Sequence, residues 1–164
     1  MLAVSNTSPL RYLIAAGRAD LLSLLFGEIL IPPGVASELS DDATPVAVRQ
    51  WIALPPAWLR IHRLISPPDA ELMATLDRGE REAIQLVIER RADVLIMDEW
   101  RGRAIAKGRG LPLIGALGVL GDSYQQGLID TPRQLLADMR QEGFRVSSEL
   151  VGKFESLLRT RYAR

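Results

Sequence analysis

Apolar residues recur along this chain in two rhythms. Unbroken short runs, Leu2-Ala3-Val4, Glu28 to Ile31, Val94-Leu95-Ile96-Met97 and Leu111 to Ile114, read as strands buried on both faces. Between them the period lengthens to that of helices, over Thr7 to about Ala16, Asp20 to Phe26, Gly34 to Leu39, Pro45 to Ala53, Asp69 to Leu76 and Glu80 to Arg91. Further helices follow: one carrying Arg101, Arg103, Lys107 and Arg109, then Ala116 to Gln126, Pro132 to Gln141 and Glu149 to Arg161. Glycine or proline marks most boundaries, as at Gly17, Gly27, Pro32-Pro33, Gly127 and Gly143. Leu59 to Leu64, holding His62, is expected as a short edge strand, and Phe144 to Ser147 as another. Strands alternating with helices predict an α/β fold, a three-layer α/β/α sandwich around a central, mainly parallel sheet, in a single domain over 1–164.

The polar residues interrupting this pattern carry the chemistry. The central strand from Val94 runs abruptly into Asp98 and Glu99, and the first strand delivers Asn6 at its end, where ligands of open α/β sheets bind. On the helix from Gly34, Glu38 borders the face of Val35 and Leu39. On the next strong helix, Glu80 shares a face with Ala83, Ile84 and Val87, whereas Glu82 falls opposite with Glu89 and is expected in solvent. Gathered in one place, such carboxylates would raise one another's pKa unless a cation neutralised them, and oxygen-only ligands suit Mg²⁺ or Mn²⁺. Each residue also has a plainer reading: Asp98 as a helix cap, Glu80 as a carboxylate favoured by a helix dipole, Glu38 as a rim residue.

Composition narrows the chemistry further. Hydrophobic content of 48% and charged content of 24% are those of a soluble globular domain, and no apolar run reaches the length of a membrane span. With no basic leader segment either, a cytoplasmic location is expected. Zero cysteines exclude thiolate catalysis and Cys-ligated zinc, and a single histidine excludes a multi-His site, so any metal is held by oxygen. Twenty basic residues balance twenty acidic ones, which argues against tight non-specific nucleic-acid binding. All the basic residues but Lys107 and Lys153 are arginine, whose planar fork suits phosphate; arginine-rich codon usage explains the same bias.

Five segments in order, Ser5-Asn6-Thr7-Ser8-Pro9-Leu10, Ile31-Pro32 with Val35 and Glu38-Leu39, Gly79-Glu80-Arg81-Glu82-Ala83-Ile84, Leu95-Ile96-Met97-Asp98-Glu99 with Arg101-Gly102-Arg103, and Ile114-Gly115-Ala116-Leu117-Gly118-Val119-Leu120, resemble the PIN-domain superfamily. The resemblance runs from about Leu2 to Leu150 and is narrowest to a prokaryotic branch related to VapC toxins. It implies an acidic pocket binding Mg²⁺ or Mn²⁺, cleavage of RNA, and neutralisation by a cognate antitoxin protein; a second copy of the chain is a further expected partner, a membrane is not. Carried over by position, it makes Glu38, Glu80 and Asp98 catalytic, Asn6, Glu38, Glu80, Asp98 and Glu99 the metal ligands, and Thr7 and Ser8 substrate-binding hydroxyls. Arg101 and Arg103 are expected to bind the phosphate backbone. The departure is Asn6, where the superfamily generally has aspartate. An amide oxygen ligates a hard cation without supplying charge, so the alternative is a weakened module that binds RNA or a protein partner without cutting. A receiver domain would need an acidic pair after its first strand and a lysine after a late one, and Gly115-Ala116 offers none.

Overall fold

The computed structural model describes residues 1–160. Five strands, β1 (Leu2–Ser5), β2 (Glu28–Ile31), β3 (Leu59–Ile61), β4 (Val94–Ile96) and β5 (Leu113–Ile114), form one all-parallel sheet in the order β3-β2-β1-β4-β5. Because a strand's side chains alternate in direction, each buried strand feeds two cores. Ala3, Ile29, Ile31, Val94 and Ile96 pack into the larger, and Val4, Leu30, Leu95 and Met97 into the smaller.

Among the described residues ten helices cover the two faces, which makes the three-layer α/β/α sandwich expected from the sequence. The larger core is closed by α1 (Thr7–Ala15), α2 (Asp20–Phe26), α3 (Pro33–Leu39), α4 (Val46–Ala53), α8 (Ala116–Gln125), α9 (Pro132–Gln141) and α10 (Ser148–Thr160). The smaller is closed by α5 (Ala70–Thr75), α6 (Arg78–Arg90) and α7 (Trp100–Gly108). No helix among the described residues is long and apolar enough to cross a membrane.

Two sequence expectations are corrected. Phe144 to Ser147 forms no strand; Phe144 is instead buried in the larger core with its ring 5.4 Å from that of Tyr12. Helix α6 begins two residues before Glu80, because the Asp77 side chain accepts the Glu80 N–H at 2.9 Å and caps it there. The expected end of the last helix, Arg161, lies outside the described residues. His62 follows the edge strand β3, its N–H donating to the Ile31 carbonyl at 2.9 Å.

Strand β1 sits at the centre, paired with β2 on one side and with β4 on the other. Its register with β4 sets Ser5 beside Ile96, so both chains leave the sheet at the same level. The order of strands reverses at this seam, where neighbouring connections diverge to opposite sides and open a crevice.

Candidate acidic site

A cavity of about 340 Å³ lies at that seam, lined by Asn6, Thr7, Ser8, Arg11, Glu38, Asp41, Ala43, Thr44, Asp77, Glu80 and Glu99. Five carboxylates thus face one guanidinium, and the balance is strongly negative although the whole chain is neutral.

Asn6 forms the floor. Its N–H donates to the Ile96 carbonyl at 2.9 Å, which fixes the backbone as an extension of β1. The residue stands where a cap of α1 would, yet its side chain makes no capping bond. It is 2% exposed and its Oδ1 has no hydrogen-bond partner. A buried amide oxygen left unpaired is costly and stays so only where something else can approach it.

Glu38, on the last turn of α3, is held from two sides. The Thr7 hydroxyl donates to its Oε2 and the Gly79 N–H to its Oε1 at 3.2 Å. Gly79 is needed for that approach, since a Cβ there would lie 2.6 Å from a carboxylate oxygen. Burial pushes the Glu38 carboxyl above its usual range, Asp77 and Glu82 push the same way, and the two hydrogen bonds oppose them.

Glu80 is 9% exposed in the first turn of α6. Desolvation raises its carboxyl to about 7, aided by the negative charges of Asp77, Glu99 and Glu38 and opposed by a backbone hydrogen bond. Glu99 is exposed on the opposite wall and accepts the Ser8 hydroxyl at 3.1 Å.

The pocket does not include Asp98. Its Oδ1 accepts the Ala116 N–H at 2.9 Å, close against Gly115, where a Cβ would come within 2.7 Å of it. It lines a separate cavity with Arg103, Ile114, Phe144 and Arg145. Burial raises its pKa, while the Ala116 N–H and Arg103 pull the other way. Through Oδ1 Asp98 thus caps α8 rather than the helix next in sequence, while its Oδ2 is buried without a hydrogen-bond partner. Arg103 is turned from the acidic pocket too: its Nη1 donates to the Met97 carbonyl at 2.8 Å and holds the end of β4. Arg101 instead borders a second cavity that shares Asp77, Glu80 and Glu99 with the first.

Glu82, expected in solvent, has a side chain only 13% exposed and accepts the Gly34 N–H at 2.7 Å, tying α6 to the start of α3. Sequence reasoning also missed Asp77, Asp41 and Arg11. Asp77 was detectable, because Asp77-Arg78-Gly79-Glu80 has the spacing of a capping box; Asp41 and Arg11 carry no comparable local signal.

A parallel α/β/α sandwich with an acidic, oxygen-only pocket at its switch point defines the general class. Within it, this chain belongs to the PIN-domain family: the family model described as "DUF3368: PIN domain" matches residues 2–159. PIN domains are generally of nuclease type and typically use divalent metals. Among solved structures the fold is similar to a PilT N-terminus domain protein, SSO1118, from the hyperthermophilic archaeon Sulfolobus solfataricus P2. That match has a TM-score of 0.54 at 19% identity and covers 75% of this chain and 93% of the other. None of the curated proteins matches this chain.

Proposed function

We propose that this protein is a metal-dependent ribonuclease of the PIN type, with Mg²⁺ or Mn²⁺ held in the pocket between Glu38, Glu80 and Glu99. The observation carrying this reading is the Asn6 amide oxygen, buried and unpartnered in a pocket where burial, aided by neighbouring carboxylates, raises Glu80 to about 7. Those are the marks of a site whose electrostatics lack a positive charge. As placed, no three acidic or histidine side chains among the described residues are spaced to grip an ion directly. The donor set still fits Mg²⁺, which keeps several waters and takes one or two carboxylates. Bound there, the ion would offset charge on a phosphoryl oxygen and activate water for in-line attack.

The chain's own residues do the positioning. Thr7 and the Gly79 N–H fix the Glu38 carboxylate, and Ser8 fixes that of Glu99. Without the ion, Glu80 at about 7 holds a proton near neutrality, which it would give up on ligating a cation. Arg101 lines the adjoining cavity, where a guanidinium can take a phosphate. Asp98, expected among the catalytic ligands, is replaced in this reading by Glu99. The toxin role, with an antitoxin protein as partner, rests on the sequence resemblance to the VapC-related branch.

The test is Mn²⁺ titration by calorimetry beside a single-stranded RNA cleavage assay with and without chelator. Wild type should bind and cut, while Glu80→Gln and Glu99→Gln should each lose at least about tenfold in ion affinity, or roughly 1.4 kcal/mol. Neither binding nor cleavage by the wild type would overturn the reading. A second reading, a module that binds RNA or a protein partner without cutting, is favoured by the uncharged Asn6 at the pocket floor; ion-independent RNA binding without cleavage would establish it.

A further inference from the structure

Of the three tryptophans, two are partly buried and pack together: Trp51 and Trp58 lie against the larger core with ring centroids 5.7 Å apart. Trp100 is different. It opens helix α7, directly after Glu99, and is 75% exposed. An indole held that far into water buries little of its surface, so packing gives no account of its position. The Arg101 guanidinium lies over its ring, 5.7 Å from the centroid, which sets a cation against an exposed indole.

The surroundings give this pair a direction. A cavity of about 310 Å³ is lined by Thr75, Asp77, Glu80, Glu99, Trp100 and Arg101. Its three acidic residues also line the main pocket, so the two cavities share those acids and the second adds an aromatic ring and a guanidinium. A polyanion crossing carboxylates needs a cationic and an apolar anchor at the exit. A flat π-surface with an adjoining guanidinium matches the alternating base and phosphate of a nucleic-acid strand.

We propose that Trp100 is a stacking platform for an unpaired base of a single-stranded nucleic acid, whose neighbouring phosphate is held by Arg101 at the mouth of the acidic pocket. The proposal rests on the nuclease reading above and gives its substrate class a structural cause. In a duplex every base is already stacked between neighbours and cannot lie on the indole, so this residue selects single strands over double.

Binding is measured by fluorescence anisotropy of a labelled oligouridine RNA, in chelator, so that cleavage plays no part. Trp100→Ala and Trp100→Leu should weaken binding roughly tenfold to a hundredfold, the range of one lost base–aromatic stack, whereas Trp100→Phe should stay near wild type. Replacing successive nucleotides by abasic ones should reveal one position at which wild type and Trp100→Ala bind alike. A duplex of matching length should bind more weakly and ignore the substitution. Thermal melting should be unchanged in all three variants, since the side chain is exposed.

If wild type binds RNA and Trp100→Ala binds it equally well, stacking is overturned while the nuclease reading stands. If Trp100→Leu retains full affinity, the requirement is apolar rather than aromatic, and stacking is overturned again. If wild type binds no RNA strand in chelator, stacking is overturned, and cleavage with Mn²⁺ decides the nuclease reading on its own.

Discussion

Glu80 and Asn6 hold the pocket's electrostatics between them, and each makes a prediction. Raised to about 7 from an ordinary 4.5, Glu80 keeps a proton in the folded protein that the unfolded chain has released over that interval. Its contribution to stability is therefore full at low pH and is lost as pH rises through about 7. Glu38 and Asp98 are shifted in the same direction and add to the trend. In chelator, the melting temperature should fall between about pH 5 and pH 8, and Glu80→Gln should flatten that fall; a melting temperature that rises over this range in wild type would contradict the assignment. Saturating Mn²⁺ should oppose the trend, because the ion favours the ionised carboxylates. At Asn6, replacement by aspartate adds a charge beside the same acids. The prediction for Asn6→Asp is lower stability in chelator and Mn²⁺ affinity higher by about tenfold, read by melting and calorimetry on one preparation.

Among the elements, β4 and its exit send Glu99 to the acidic pocket and Asp98 to a neighbouring cavity. Asp98 accepts the Ala116 N–H and so links the end of β4 to the start of α8. Asp98→Ala should cost about 1 to 2 kcal/mol of unfolding free energy, the range of a lost helix cap. Asp98→Asn, which retains an oxygen acceptor, should keep most of the stability and Mn²⁺ affinity within about twofold of wild type; a loss as large as that of Glu99→Gln would return Asp98 to the ion site. Strands were readable from sequence because burial on both faces leaves no polar interruption until the strand ends. Asn6, Glu38 and Glu80 were readable because strand ends and helical phase fix where a side chain points. That Asp98 and Glu99, both expected as ligands, line different cavities was not readable. Adjacent carboxylates diverge according to backbone geometry after Ile96, and Arg103 and Gly115 set that geometry from six residues away in sequence or more. Glu82 was misread for a related reason. Helical phase puts it away from Glu80, but α3 lies on that side too and its Gly34 N–H takes the carboxylate.

For the molecule as a whole, the placing of β1 matters most. The first strand of the chain is the middle strand of the sheet, and its partner β4 begins at Val94. Asn6, Glu38, Glu80 and Glu99 reach the pocket from four separated segments. A nascent polypeptide on the ribosome can therefore assemble β1, α1, α2 and β2 early, yet it has no complete pocket until Glu99 has cleared the exit tunnel. Stalled chains of increasing length, probed for Mn²⁺-dependent RNA cleavage, should stay silent until both β4 and the first turn of α7 have emerged. On the proposed function, the protein is thus made without the means to cut the message being read for most of the time that its own synthesis takes.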